Sequence, residues 1–313
     1  MNFPVFDLHC DTLGALAGID KKDPVHLRDN KCHIDLNRAS SLPGYAQCFA
    51  IFTTPYMEDW HHVSPVTVFE RDLDAFQREM ALNCGTMVQA YTAQDVRDHQ
   101  AKGLMSAILT IEGPAGFGFD PALLEDLYKA GFRITTLGWN EKNPLTGSHE
   151  TGGGLTDLGR EYVKEAQRLG MLVDVSHLSD PGFWDVLEMA RRPVIASHSN
   201  ARAVCPHTRN LTDEQFTAII KNQGVVGLNL CREFVGGRED VDALAAHLEH
   251  FLALGGEHTV ALGGDLDGCE PVKGVPDIAG WAVFYERLLQ LNYKESLLEH
   301  LFYHNFMRVV SQL

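Results

Sequence analysis

The stretch FDLHCDT, residues 6–12, places a His and an Asp two positions apart at the end of an apolar run. Phe6 and Leu8 are typical of a buried strand, in which residues i and i+2 point to the same side. We therefore predict that His9 and Asp11 project together. An imidazole nitrogen and a carboxylate oxygen on one face suit zinc or a similar divalent ion. Two ligands are too few for a site, so the others must come from elsewhere in the chain.

A second triplet of the same form, His33-Ile34-Asp35, carries no such expectation. It follows the polar segment Arg28-Asp29-Asn30-Lys31, which predicts a solvated loop or short helix. With 15 His and 42 acidic residues, a His-x-Asp triplet is expected about once by chance. The prediction that the first triplet binds a metal therefore depends on the rest of the chain.

Composition limits the class of protein. The 313 residues are 45% hydrophobic, and the net charge of −16 argues against nucleic acid or an anionic membrane as the main partner. The seven cysteines are scattered without a Cys-x-x-Cys pair, which is typical of reduced thiols. No apolar run has the length of a membrane span, and residues 1–5 contain no signal-like segment. We expect a cytoplasmic protein with one domain, residues 1–313.

Eight short apolar strands alternate with amphipathic helices along the chain. This alternation predicts an α/β fold with parallel β/α units, and eight such units suggest a closed (β/α)8 TIM barrel, with a doubly wound open sheet as the alternative. The polar residues favour the barrel, because its active site lies where the carboxyl ends of the strands meet. Such residues end strands one, three, five, six and eight: His9 and Asp11, Glu112, His177, His198 and Asp265.

This set matches a two-metal hydrolytic centre with a bridging water. Glu112 is the natural bridge, because its two oxygens could each bind one ion, with His9 and Asp11 on one side and His177 and His198 on the other. Two ions activate water and polarise a carbonyl, so a Ser or Cys nucleophile is unnecessary. The remaining loop histidines are expected to be solvated: His61, His62, His149, His207 and His258.

Two further residues have predicted roles beside the metals. Asp265, in the stretch GGDLDG, is placed to take a proton from the bridging water and pass it to the leaving amine, whereas Asp267 is expected to be a turn residue. Arg209, in the loop after strand six, suits a two-point contact with a substrate carboxylate.

The motifs DLHCDT, IEG, DVSH, SHSNARAVCPHTRN and GGDLDG together resemble the renal (membrane) dipeptidase family of the amidohydrolase superfamily. The resemblance implies a (β/α)8 barrel with two zinc ions, hydrolysis of dipeptides with tolerance for a C-terminal D-residue, and a homodimer. It implies that Arg209 binds the terminal carboxylate of the substrate and that Asp265 is the acid/base. The zinc ligands that it implies are His9, Asp11, Glu112, His177 and His198.

The chain departs from the renal enzyme at the end of strand four. Trp139 stands at or beside the place of a substrate-binding His, and we expect Trp139 and Asn140 to contact the substrate. An indole can donate one hydrogen bond or wall a pocket. The substrate could therefore be another small amide, such as an N-acyl-amino acid. A non-catalytic metal-binding barrel is the least favoured alternative, since no metal ligand is missing.

Overall fold

The structure, a computed structural model, describes residues 1–19 and 24–313. Its strands are all parallel, and eight of them close into a ring because β2 pairs with β4 as well as with β1. The predicted (β/α)8 barrel is confirmed, and the open sheet is excluded. The strands are β1 Phe6–Asp7, β2 Ala46–Phe52, β3 Met87–Gln89, β4 Met105–Glu112, β5 Phe132–Thr136, β6 Leu172–Asp174, β7 Ile195–Ala196, β8 Val225–Leu228 and β9 Val260–Leu262.

Strand β3 was not predicted; it pairs with the first residues of β4 and stands outside the closed ring. Helices cover the outside of the barrel. The α-helices are α1 Thr12–Ala17, α2 Leu36–Ala39, α3 Met57–His61, α4 Pro65–Leu82, α5 Ala93–Ala101, α6 Leu124–Ala130, α7 Asp157–Leu169, α8 Asp180–Met189, α9 Asp213–Lys221, α10 Arg232–Val235, α11 Val241–Ala253, α12 Trp281–Gln290, α13 Glu295–Glu299 and α14 Asn305–Val310. Short 3-10 segments lie at Pro114–Phe117, Pro121–Leu123, Gly256–His258 and Ile278–Gly280, and a π-helical turn lies at His300–His304.

Local sequence explains the longest helix, α4. The side chain of Ser64 accepts a hydrogen bond from the Thr67 N–H, and Pro65 occupies the first turn, where its missing N–H costs nothing. Val68, Phe69 and Phe76 recur at helical spacing and are buried. Among the described residues, none of the helices is long and apolar enough to cross a membrane.

Side chains from every strand of the ring fill the inside of the barrel. The last helical segment closes the end where the strands begin, with the ring of Phe306 packed 4.6 Å from that of Phe6. The opposite end, where the strands finish, is thereby left for the polar residues. The buried strand residues of this inner core are Phe6, Ala46, Cys48, Ile108, Ile134, Leu172, Ile195, Val225 and Ala261.

The strands end earlier than the sequence predicted. The fifth, sixth and eighth barrel strands were expected to continue to His177, His198 and Asp265, yet they finish at Asp174, Ala196 and Leu262. His177 has φ 71° and Asp265 has φ 54°, both in the left-handed region that interrupts extended backbone. His177, His198 and Asp265 therefore lie beyond the last residues of their strands, whereas Glu112 is the last residue of β4.

Candidate metal centre and substrate cleft

The first group of donors comes from the segment after β1 and from the end of β4. His9 Nε2 lies 3.3 Å from Asp11 Oδ2 and 3.2 Å from Glu112 Oε2. Asp7 holds this segment in place, because its carboxylate accepts hydrogen bonds from the N–H groups of His9 and Gly264 and from the indole of Trp281. The pairing of β1 with β2, and of β2 with β4, brings Glu112 beside the first two predicted ligands.

The second group of donors lies on the other oxygen of Glu112. His177 Nε2 is 3.0 Å from Glu112 Oε1, and His198 Nε2 is 3.7 Å from the same atom. The two oxygens of the Glu112 carboxylate therefore face different imidazoles: Oε2 faces His9, and Oε1 faces His177 and His198. The structure brings all five predicted ligands into one cluster.

Hydrogen bonds to the far sides of the imidazoles determine their tautomers. His177 Nδ1 lies 2.8 Å from Asn140 Oδ1, which can only accept, so Nδ1 carries the hydrogen. Ser197 donates to the carboxylate of Asp174 and so accepts from His198 Nδ1 at 2.7 Å. Both Nε2 atoms consequently carry lone pairs, and they are only 2.9 Å apart. Two lone pairs at this distance repel each other unless a cation lies against them.

Unpaired atoms on the other side of the cluster also fit a cation. Within the part of the chain that the structure describes, His9 Nε2 and Asp11 Oδ1 are buried without a hydrogen-bond partner. Burial raises the pKa of Glu112 to about 8, and burial lowers the pKa of His198 well below its usual value. For His9, burial opposes the charged ring, yet the carboxylates of Glu112 and Asp11 raise its pKa well above the usual value. Imidazole nitrogens and carboxylate oxygens are the donor types that zinc accepts, so these residues fit a divalent metal.

Asp265 stands beside the first group of donors. One of its carboxylate oxygens lies within 4.8 Å of the ligand atoms of His9 and Asp11, and Asn229 donates a hydrogen bond of 3.0 Å to Oδ2. Burial raises the pKa of Asp265 to about 6. Its left-handed backbone is the kind of strained conformation that active sites often contain.

Arg209 is buried beside the second group of donors. Its Nη1 donates to Ser199 Oγ and its Nη2 to the carbonyl of His198, both at 3.2 Å, while Nε is buried without a partner. The guanidinium stacks on the ring of Phe234 at 5.6 Å. Phe234 lines the cleft described next, whereas Arg209 is not among the residues that line it.

A cleft of about 1090 Å³ opens over the cluster. Trp139 lines it with its ring packed against Phe52 and Trp60. Asn140 lines it as well, but its side-chain oxygen accepts hydrogen bonds from both His177 and His149, so in this structure Asn140 orients an imidazole. Its predicted contact with substrate stays a prediction.

A family model described as membrane dipeptidase, peptidase family M19, matches residues 1–313 of the chain. The chain belongs to peptidase family M19. This is the family that the motifs of the sequence resembled, and it makes the protein a metallodipeptidase.

Relatives and solved structures of the M19 family agree with this assignment. The chain is 32% identical over 263 residues to a Klebsiella pneumoniae protein described as uncharacterized, in the pqqA 5′ region, with 80% of this chain and 97% of that protein covered. It is 28% identical over 304 residues to dipeptidase tcpJ of Claviceps purpurea (strain 20.1), covering 91% and 70% of the two chains. The crystal structure of a Rhodobacter sphaeroides metallo peptidase, liganded with a phosphinate mimic of the dipeptide L-Ala-D-Ala, superposes with a TM-score of 0.90 at 28% identity and 99% coverage of each chain.

One prediction about the loop histidines of this M19 chain is wrong. The side chain of His149 is only 5% exposed, and it is held between Thr208 Oγ1 and Asn140 Oδ1 at 2.9 Å each. Burial, and then the charge of Arg209, lowers its pKa to about 3, so the ring is neutral at physiological pH. The loop that carries His149 folds back over the cluster, which its local sequence did not indicate.

The other loop histidines are closer to expectation. His62 and His258 are exposed, while His61 and His207 are half-buried. The second His-x-Asp triplet lies outside the cluster, as predicted: Asp35 caps α2, and His33 exchanges hydrogen bonds with Asp267. Asp267 is a turn residue with φ 69° that also accepts from Thr12.

Sequence reasoning missed the residues that support the ligands. Asp7 holds the backbone of His9, and Asp174 holds Ser197, which in turn orients His198. A signal was available, because each of these aspartates interrupts an apolar strand a few residues before a His. A carboxylate within a buried strand requires partners, and such partners are found at functional sites.

Proposed function

We propose that this metallodipeptidase uses two zinc ions, bridged by Glu112, to hydrolyse the peptide bond of L-L and L-D dipeptides. His9 and Asp11 would hold one ion, and His177 and His198 the other. The observation that carries the proposal is the orientation of the Glu112 carboxylate. Its Oε2 lies 3.2 Å from His9 Nε2, and its Oε1 lies 3.0 Å from His177 Nε2. When bound, the two ions supply a bridging hydroxide at neutral pH and polarise the scissile carbonyl.

Asp265 is the proposed acid/base. The hydrogen bond from Asn229 orients its carboxylate next to His9 and Asp11, where the attacking water must lie if these residues hold an ion. Asp265 accepts a proton from this water and returns it to the nitrogen of the leaving amine. Burial disfavours the charged carboxylate and so raises its affinity for a proton, which favours the acceptance of the proton from water.

Arg209 is the proposed receptor for the terminal carboxylate of the dipeptide. Ser199 and the carbonyl of His198 hold two of its nitrogens, so the fork is already oriented before substrate arrives. A buried guanidinium Nε without a partner is costly, and a carboxylate oxygen would satisfy it. Trp139 and Asn140 are proposed to contact the remainder of the substrate.

Metal content and a substrate panel test this function together. The purified protein should contain about two zinc ions per chain and should cleave L-Ala-L-Ala and L-Ala-D-Ala, with activity lost on chelation and restored by zinc. The Rhodobacter relative, bound to a mimic of L-Ala-D-Ala, supports the inclusion of the second dipeptide. If the protein binds metal but cleaves N-acyl-amino acids faster than dipeptides, N-acyl-amino acids would be the substrate class instead. Absence of bound metal would refute the proposed centre.

We further propose that the chain forms one domain, residues 1–313, and acts as a cytoplasmic homodimer. The scattered cysteines support the location, the absence of a linker-like tract in the sequence supports one domain, and the family resemblance supports the homodimer. Light scattering should give a particle of two 34.7 kDa chains. A monomeric mass at micromolar concentration would contradict the dimer.

A further inference from the structure

Four aromatic side chains form a continuous series, which we call the aromatic wall: Phe52, Tyr56, Trp60 and Trp139, of which all but Tyr56 line one side of the cleft. The ring of Trp139 packs against Phe52 and Trp60 at 5.4 Å each, and Tyr56 continues the series 5.5 Å from Trp60. Trp60 is 47% exposed and Tyr56 43%. Exposed indole surface that lines a cleft is typical of a ligand site, because its burial by a ligand is favourable.

The aromatic wall begins at the candidate metal centre. Phe52 is the strand neighbour of Glu112 in the β2–β4 register, and the Trp139 ring lies 6.3 Å from the ring of His177. Trp60, on α3, extends the wall towards solvent. A group bound at the cluster could therefore place a side chain along these rings.

The aromatic wall and Arg209 lie on opposite sides of the barrel. In the closed ring the wall residues follow β2 and β5, whereas Arg209 follows β7 and its stacking partner Phe234 follows β8. In this eight-stranded ring β2 is diametrically opposite β7, and β4, which lies between β2 and β5, is opposite β8. The cluster of His and carboxylate residues lies between the two sides.

We propose that the aromatic wall binds the side chain of the N-terminal residue of the substrate and selects dipeptides in which that residue is bulky and apolar or aromatic. The inference rests on the proposed function. With the scissile carbonyl at the cluster and the terminal carboxylate at Arg209, the N-terminal residue extends towards the opposite side, where the wall stands. A hydrophobic pocket discriminates side chains of different size by about 10- to 200-fold per group.

Steady-state kinetics on Gly-Ala, Phe-Ala and Ala-Phe tests the inference. For the zinc-loaded protein we expect kcat/KM for Phe-Ala to exceed that for Gly-Ala by at least about 10-fold. Ala-Phe should be cleaved less well than Phe-Ala, because the wall would meet the first residue and not the second. Equal values for Gly-Ala and Phe-Ala, or a preference for Ala-Phe, would overturn the inference while the dipeptidase function stands.

A substitution in the wall gives the second test. Trp60→Ala should lower the ratio of kcat/KM for Phe-Ala to that for Gly-Ala by about 5-fold, and Trp60→Phe should retain most of it. The control is Trp184→Ala on α8, since Trp184 is 44% exposed and thus comparable to Trp60, but lies outside the cleft. A Trp60→Ala ratio equal to that of Trp184→Ala would refute the wall's role. Failure of the zinc-loaded protein to cleave any of these dipeptides would instead refute the proposed function.

Discussion

The orientation of His177 depends on the side chain of Asn140. Its amide oxygen accepts from the Nδ1–H of His177 at 2.8 Å and from His149 at 2.9 Å. The second imidazole is itself held by Thr208. The orientation of His177 Nε2, which faces Glu112, therefore relies on a chain of hydrogen bonds that begins at Thr208 in a different loop.

Asn140→Ala should weaken metal binding. Loss of the acceptor frees the His177 ring to rotate and to change tautomer, and such supporting contacts are worth about 10- to 100-fold in metal affinity. The measurement is the apparent zinc Kd by competition with a chelator. Asn140→Asp, which keeps the acceptor, should retain most of the affinity, and Asn37→Ala on the exposed surface is the control. Equal affinity for Asn140→Ala and Asn37→Ala would contradict this prediction.

Arg209→Met should raise KM for dipeptides by about 10- to 100-fold, because a hydrogen bond to a charged group contributes about 1.5–3 kcal/mol. The same variant should leave KM for a dipeptide amide nearly unchanged, since that substrate has no terminal carboxylate. Arg232→Met is the matched control, as this second arginine near the cleft is already paired with Glu270 at 2.8 Å. A similar rise in KM for both variants would indicate a general charge effect and not carboxylate recognition.

Among the secondary-structure elements, β4 carries Glu112, the proposed bridging residue, and the turn after β4 controls where Glu112 lies. Gly113 has φ 79°, and a Cβ at this position would be 2.1 Å from the carbonyl oxygen of Thr53. The side chain of Thr53 in turn accepts from the N–H of Gly116 and donates to the Gly113 carbonyl. The ends of β2 and β4 are thus packed so closely that only glycine fits.

Gly113→Ala should destabilise the protein and reduce zinc content together. The matched control is Gly118→Ala, because Gly118 has a similar φ of 68° but no atom lies within 4 Å of the place that its Cβ would occupy. The control should lose only about 1 kcal/mol for the left-handed backbone, and Gly113→Ala about 1–3 kcal/mol more for the clash. Denaturant unfolding measures the difference, and equal losses for the two variants would contradict the close approach.

The strand ends also show a limit of prediction from apolar runs. Short apolar runs located all eight strands of the ring, but they extended the later ones through His177 and Asp265, which have left-handed backbones. A non-glycine residue in that region is stable only when surrounding contacts hold it, and those contacts come from other loops. The pattern within one strand therefore cannot locate its end.

For the molecule as a whole, closure of the ring joins the first strand to the last. The β1–β9 contact, reinforced by the bonds of Asp7 to Gly264 and Trp281, links residues more than 250 positions apart. With β1 between β2 and β9, the two ends of the chain stabilise each other. This arrangement favours unfolding of the barrel as one unit.

Thermal unfolding should therefore show one transition, and removal of zinc should lower its midpoint. Free zinc at about 1,000 times Kd stabilises the folded state by about 4 kcal/mol for each site. With an unfolding entropy of about 2.1 cal/mol/K per residue, this corresponds to roughly 6 °C in Tm for each site, or about 12 °C for the two proposed sites. Differential scanning calorimetry with and without chelator measures the shift. Two separate transitions would contradict the proposed single domain, and an unchanged Tm would argue against metal bound to the folded state.

The sequence by itself determined the barrel and the membership of the cluster. Parallel strands bring their carboxyl ends to one face, so His9, Asp11, Glu112, His177 and His198 could be expected there from their positions in the chain alone. Only the tertiary structure decided the hydrogen bonds of Asn140 with His177 and of Ser197 with Asp174, the burial of His149 against Thr208 and the contact of Trp60 with Trp139. These contacts join segments at or after the ends of different strands, and local periodicity contains no information on how such segments fold against one another.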